Sequence, residues 1–365
     1  MYPHGRPSEL LRSRFRRGVV MVLWSLTKSR KSTPEFRLAV IAVVVFVAMA
    51  AFSPDRFLSS QNIVSMAFQF PEFAILALAM TIAMMTGGID LSVVGVANLT
   101  AVISALILVN FAGADMTGGP ALLWLVLSLS VAVCVGGFAG LFNGILVARF
   151  GLPPILATLG SGLVFTGIAV AMTGGSAVMG FPDVVAVIGN AQIMLVPVPL
   201  IIFALLAVCL HIVLTKTNFG LKATMYGANP LAALFAAIDI NKLLVRVYVI
   251  SGILSSIAGM VIMSRANSAK ADYGSSYLLL AVLIAVLGGV NPYGGYGRVM
   301  GVVLAVLSMQ FLSSGLNMLQ VSNFARELIW GALLIFVMIV NSTDWRRFGK
   351  SHPVKKPFSK GGSMR

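Results

Sequence analysis

The side chains able to do chemistry are few in this sequence, and their spacing points away from catalysis. Two cysteines, Cys134 and Cys209, sit apart inside apolar runs, so neither a CxxC metal site nor a disulfide framework has its raw material. The absence of HExxH and GxSxG removes the zinc-hydrolase and serine-hydrolase arrangements. Gly349, Lys350 and Ser351 imitate the end of a phosphate-binding loop, but the place of that loop's first glycine is taken by Asp344 and no strand precedes it. The chain is therefore expected to be no enzyme and to hydrolyse no ATP itself. Among ionisable residues within apolar runs His211 stands out; it reads as an interfacial residue or as a proton relay. Ion-coupled carriers tend to bury a carboxylate in a span, and none stands out, so an external energy source is expected.

Three polar interruptions carry more information. In TGGIDLSVVG, 86–95, Gly87 and Gly88 end one helix, and Asp90 or Ser92 is placed to accept free backbone N–H groups at the start of the next. The alternative for Asp90 is a part in transport or subunit contact. Within 215–243, the longest connection, Asn229 and Pro230 form a strong helix start, and Leu231, Leu234, Phe235 and Ile238 follow at helical spacing. A short amphipathic helix over 229–238 is expected outside the bilayer, its apolar face set against a partner or against its own bundle. The third, LGGVNPYGGYGRVMG at 287–301, requires tight turns and close backbone packing, and echoes the earlier Gly87-Gly88 pair.

The elements that position these motifs follow from composition. The 365 residues are 58% hydrophobic and 10% charged, with a mean hydropathy of +0.96, against about 25% charged residues in soluble domains. Ten apolar runs can be traced, at 38–52, 73–85, 93–112, 121–147, 155–172, 194–214, 244–263, 277–287, 299–319 and 328–340. The second and eighth are shorter than the roughly 20 residues that span a bilayer, which leaves re-entrant or broken helices open. Sixteen of the 26 Lys and Arg residues lie before Leu38 or after Val340. With ten spans and both termini cytoplasmic, only Arg56, Arg265, Lys270 and Arg326 fall outside, a strong positive-inside bias. Basic tails beside anionic headgroups account for the net charge of +15 without nucleic acid. The expected organisation is a basic tail at 1–37, either on the membrane surface or disordered, one transmembrane domain at 38–341 and a disordered basic tail at 342–365. Although 48–50 reads Ala-Met-Ala, the first run is taken as a retained span, since too long a segment precedes it for a signal peptide. Gly136, Gly140 and Gly144 share one helix face, either for packing within the chain or for a subunit interface, and Gly297 and Gly301 repeat the spacing.

Four stretches together resemble the membrane permeases of bacterial ATP-driven sugar importers of the ribose type: GGIDLSVVG at 87–95, FNGILVARFGLPPILATLGSGLVFTGIA at 142–169, KTNFGLKATMYGANPLAALFAAI at 216–238, and LGGVNPYGGYGRVMG at 287–301. Order and spacing agree across roughly 38–341. VPVPLIIF at 196–203 and NSAKADYGSSYLL at 267–279 resemble the autoinducer-2 branch, and rhamnose-type permeases share much of the pattern. The chain departs at Val94, where the family commonly has Gly, and at Val290 and Asn291, where it has Thr-Ser.

The resemblance implies an all-α integral inner-membrane protein of about ten helices, some short or broken, with a cytoplasmic coupling helix. It would move a monosaccharide or related polar solute, such as autoinducer-2, by alternating access. Implied partners are cytoplasmic ATPase subunits using ATP and Mg, a periplasmic binding protein, a second identical or different permease, and membrane lipid; no cofactor is implied on this chain. On this reading Gly227, Asn229, Pro230, Ala232, Ala233, Phe235 and Ala236 form the ATPase-coupling element, while Gly87, Gly88, Asp90, Asn143, Thr158, Gly288 and Gly289 belong to translocation or gating motifs. Specificity would rest mainly with the binding protein, the path being lined by Gly, Ala, Ser and Asn. The rival is a secondary, ion-coupled carrier.

Overall fold

The computed structural model describes residues 34–342; the expected tails, apart from their innermost residues, lie outside that range, as does the loop-like Gly349 to Ser351. In lipid every backbone amide must bond within its own segment, and the described chain is accordingly almost all helix. The elements are α1 (Pro34–Phe52), α2 (Ser60–Met85), α3 (Val93–Ile107, prolonged by a π-helical turn at Leu108–Ala112), α4 (Gly118–Ala148), α5 (Pro154–Thr173) and α6 (Val198–Lys216). Two short helices, α7 (Asn218–Ala228) and α8 (Pro230–Phe235), lead into α9 (Ile240–Ala266), α10 (Tyr277–Leu287), α11 (Val299–Met318) and α12 (Asn323–Ser342). Among the described residues eight helices are long and apolar enough to cross a membrane: α1 to α6, α9 and α11. With α10 and α12 the bundle has the expected ten or so helices. The 11 residues of α10 reach about 16 Å, roughly half a hydrocarbon core.

Two of the expected spans need correction. The run at 73–85 is the second half of the 26-residue α2, long enough to cross, which corrects its treatment as short. Polar residues hid the first half: Asn62 donates to the Phe57 carbonyl at 2.8 Å and accepts from Ser314 at 2.9 Å, and Glu72 accepts from the Tyr277 hydroxyl at 2.9 Å while pairing with Arg265. Glu72 and Arg265 also correct the expectation that His211 is the main ionisable group inside the spans. His211 itself is exposed on the outer face of α6. The second correction is at 194–214, where α6 begins only at Val198. Met194 and Leu195, with φ of 48° and 70°, form the exposed tip of a two-residue hairpin in which Gln192–Ile193 pairs with Val196–Pro197.

Every residue of α2 from Phe70 onward is buried, and α9 runs beside it through the middle of the bundle. Lipid gives helices no hydrophobic reason to associate, so backbone approach must supply the packing. A Cβ at Gly136 would stand 2.6 Å from the Gly252 carbonyl oxygen, at Gly140 2.2 Å from that of Tyr248, and at Gly144 2.7 Å from the Val245 Cα. The glycine stripe of α4 thus lies against α9 of the same chain. A Cβ at Gly301 would stand 2.1 Å from the Gly288 carbonyl oxygen, and one at Gly297 2.9 Å from the Met85 side chain. Leu122, Phe138, Leu163, Leu205 and Val208 project from the outer faces of α4, α5 and α6, as lipid-facing residues do. Cys134 and Cys209 share those exposed faces.

Candidate functional site

Three segments far apart in sequence meet at the end of the bundle where α2 finishes. The first is the turn between α2 and α3. Gly87 adopts a φ of +78°, a conformation that costs a side chain energy, and the space a Gly88 Cβ would need is held by the Tyr248 hydroxyl at 2.6 Å. Beyond them Asp90, 1% exposed, is the hub of a buried polar cluster. One of its carboxylate oxygens accepts the Ser92 N–H at 3.0 Å and the Ser92 hydroxyl at 2.6 Å; the other accepts the Ser251 hydroxyl of α9 at 2.7 Å. Asn143 of α4 donates to the Ser92 hydroxyl oxygen at 2.7 Å. Thr158 of α5 accepts the Leu91 N–H at 3.0 Å and donates to the Ile89 carbonyl at 3.0 Å.

Asp90, Asn143 and Thr158 therefore come together and tie one turn to α4, α5 and α9. Asp90 caps only in part, since it serves the amide of Ser92 just ahead of α3. Ser92, expected only as a possible cap, and Ser251, not among the expected residues, complete the cluster; the visible signal for Ser251 is a small polar residue recurring with Ser255 on a largely apolar helix. Replacing Asp90 by Ala leaves buried donors without an acceptor and should cost about 1–3 kcal/mol for each, read as a lower melting temperature of the purified protein. Asp90→Asn keeps one acceptor oxygen and should lose less; equal melting temperatures for wild type and Asp90→Ala would remove the stapling role.

The second segment is the loop between α10 and α11. Asn291 shapes it, accepting the Tyr293 N–H at 3.1 Å and donating to the Gly294 carbonyl at 2.9 Å. The Gly295 N–H donates to the Met85 carbonyl at the end of α2, 3.0 Å away. Gly288 packs against the Val302 backbone, and Gly289, at a φ of +81°, completes the turn out of α10. It is Gly294 and Gly295, outside the expected set, that meet the other segments.

The third segment is the end of α7. A Cβ on Gly227 would stand 2.1 Å from the Met85 carbonyl oxygen and 2.4 Å from the Gly295 nitrogen, and one on Gly294 would stand 2.8 Å from both the Gly227 Cα and the Gly87 nitrogen. The junction of the three segments is main chain against main chain. Directly after it Asn229 accepts the Ala232 N–H at 3.0 Å and Pro230 takes the first helical position of α8.

The expected helix over 229–238 is shortened to six residues, because Ala237 turns left-handed with a φ of 54° and sends Ile238 back into a small core with Ala223, Ala233 and Leu243. Ala232 and Ala236 are exposed, and Ala233 is fully buried. Leu231, Leu234 and Phe235, at 67, 58 and 89% exposure, present an apolar face with nothing over it among the described residues. Asp239 then accepts the Lys242 N–H at 3.0 Å and caps α9; that bond and the Lys242 ammonium hold its carboxyl below the usual range. The exposed face of α8 is thus rooted in α2 and in the loop ahead of α11 through glycine backbone, and in α9 through one short cap.

Comparison with known proteins bears on what such an arrangement serves. Residues 62–338 match the family described as branched-chain amino acid transport system / permease component. The chain is similar to the autoinducer 2 import system permease protein LsrD of Escherichia coli (strain K12), at 32% identity over 319 residues, covering 86% of this chain and 93% of that protein. The corresponding proteins of Shigella flexneri and Escherichia coli O157:H7 give the same identity and coverage. No solved structure matches the chain.

Proposed function

The chain belongs to the family of transport-system permease components, and from that membership we propose how it works as the membrane subunit of a ribose-type ATP-binding-cassette importer. Its solute is a monosaccharide or a related small polar molecule, autoinducer 2 being the candidate suggested by the relatives' names. The observation that carries the coupling proposal is the uncovered apolar face of α8, Leu231, Leu234 and Phe235, on a helix that follows backbone contacts to the end of α2 and to the loop ahead of α11. That face docks in a groove of a cytoplasmic ATPase subunit, which supplies the ATP and Mg site. α8 therefore faces the cytoplasm, as do both termini, and the single permease domain occupies 38–341.

In this scheme, closure of the ATPase subunits on ATP pushes α8, and the push reaches Met85, the turn of Asp90 and the start of α9 through the contacts described. Binding energy must differ between the outward-open and inward-open states for ATP to drive the cycle. Gly87, Gly88, Asp90, Asn143 and Thr158 act as the joint between the coupling element and the spans, and not as lining of the path; the burial of Gly88, Asp90, Asn143 and Thr158 supports this, with Gly87 exposed at the turn itself. A periplasmic binding protein delivers the solute and a second permease completes the pathway.

Uptake of labelled autoinducer 2, D-ribose and L-rhamnose in cells with and without the neighbouring ATPase gene tests the reading. Uptake of at least one should vanish without the ATPase and survive a proton-gradient uncoupler as long as ATP is maintained. Uptake that persists without the ATPase, yet collapses with the gradient, would overturn the proposal.

A further inference from the structure

At the end of the bundle opposite α8 a cavity of about 280 Å³ lies between the first half of α2, the end of α9, the start of α10, the second half of α11 and the start of α12. Its size falls near the lower end of the roughly 300–1,000 Å³ of small-molecule sites, so it suits a small solute. Gln69, Asn323 and Glu327 at its rim are exposed, while Gln310 and Trp330, 2 and 7% exposed, form its floor.

The floor is chemically incomplete in one direction. Among the described residues six buried side-chain polar atoms lack a hydrogen-bond partner, and three of them belong to side chains that line this cavity: Gln310 Nε2, Arg326 Nε and Trp330 Nε1. All three are N–H donors. A buried donor without an acceptor is costly, and three of them around one space call for a molecule rich in acceptor oxygens.

Fixed charge narrows the class further. Arg265 is neutralised by Glu72, Arg326 donates to Asn323, and Glu327 accepts from the Ser276 hydroxyl. Two guanidinium groups and two carboxylates thus balance in number around the site, which offers no net charge to an anion or a cation. Phe73, Tyr277 and Trp330 add apolar ring surface. Uncharged hydroxyl and carbonyl oxygens on a compact carbon skeleton fit this wall; the paired charges of a free amino acid do not.

We infer that this cavity is a solute-binding site of the permease itself, for an uncharged, oxygen-rich molecule of the monosaccharide class, entered from the end away from α8. The inference rests on the importer reading and places part of the specificity in this chain, where the sequence suggested only a permissive path.

The test uses the assembled importer in lipid nanodiscs without its binding protein. Equilibrium binding of tritiated D-ribose, L-rhamnose and autoinducer 2 is measured, with L-leucine as the charged counter-probe, and uptake of the same probes is followed in proteoliposomes of the full system. One uncharged probe should bind saturably and L-leucine should not. Near-isosteric Gln310→Glu and Trp330→Phe should each weaken that binding about tenfold. Ser313→Phe, which fills the cavity from a half-buried position, should abolish it even if the floor variants fail to fold.

Uptake of a probe with no saturable binding to the permease, or binding that these variants leave unchanged, overturns the site and leaves the importer reading standing. Saturable L-leucine binding overturns the solute class. Absence of uptake for all three uncharged probes overturns the importer reading for sugars, and this inference with it.

Discussion

Replacing Leu234 and Phe235 together by Asp abolishes ATP-driven uptake and releases the ATPase subunit from the membrane, while the permease itself accumulates at its normal level. Both side chains are more than half exposed among the described residues, so the fold has no reason to fail. An apolar anchor in an interface typically contributes 2 kcal/mol or more, about thirty-fold in affinity, and two carboxylates in an apolar groove add a desolvation cost. Co-purification of the ATPase with a tagged permease reads the effect directly. Normal uptake by the double variant would show that α8 is not the gripping surface. Ala233→Asp is the wrong probe for this question: Ala233 is fully buried, and an unpaired carboxylate there would disrupt α8 whatever its role.

Gly227→Val produces the second large effect, a protein that fails to accumulate or accumulates without activity. The atoms a Cβ at Gly227 would meet, the Met85 carbonyl oxygen at 2.1 Å and the Gly295 nitrogen at 2.4 Å, belong to backbone and cannot rotate away. Overpacking of this kind costs about 1–3 kcal/mol where neighbours can shift, and here they are the end of α2 and the backbone of the tight loop ahead of α11. Gly160 and Gly167 of α5 have nothing within 4 Å of their would-be Cβ; Gly→Ala there should be neutral or slightly stabilising, by up to about 1 kcal/mol. Membrane abundance and melting temperature of the three variants decide the matter, and a fully active Gly227→Val protein would dismiss the glycine junction as a constraint.

What was legible in the sequence was what local chemistry determines. The start of α8 could be placed because Asn229 and Pro230 act on their own next turn. Its end could not, because Ala237 adopts a left-handed conformation more typical of glycine. The apolar half of α2 was plain, and the other half was masked by Asn62 and Glu72, which have partners in distant elements. Glu72 escaped notice as an intramembrane carboxylate for the same reason: its partners Arg265 and Tyr277 lie 193 and 205 residues away.

Asp90 was recognised as special, but its cluster requires α4, α5 and α9 to converge, and Ser251 is 161 residues off. The echo between the two Gly-Gly motifs has a concrete counterpart: the Gly87 turn sits against Tyr293 and Gly294 of the second loop. His211 drew attention because it is ionisable in an apolar run, and the structure leaves it on the bundle's outer face.

The glycine junction under α8 has a mechanical corollary. A side chain pressed from one direction can yield by changing rotamer, so a linkage made of side chains has play in it, like worn gear teeth. Peptide planes touching one another have no such slack, so on the proposed coupling a small displacement applied to one rod would reach the next with little loss.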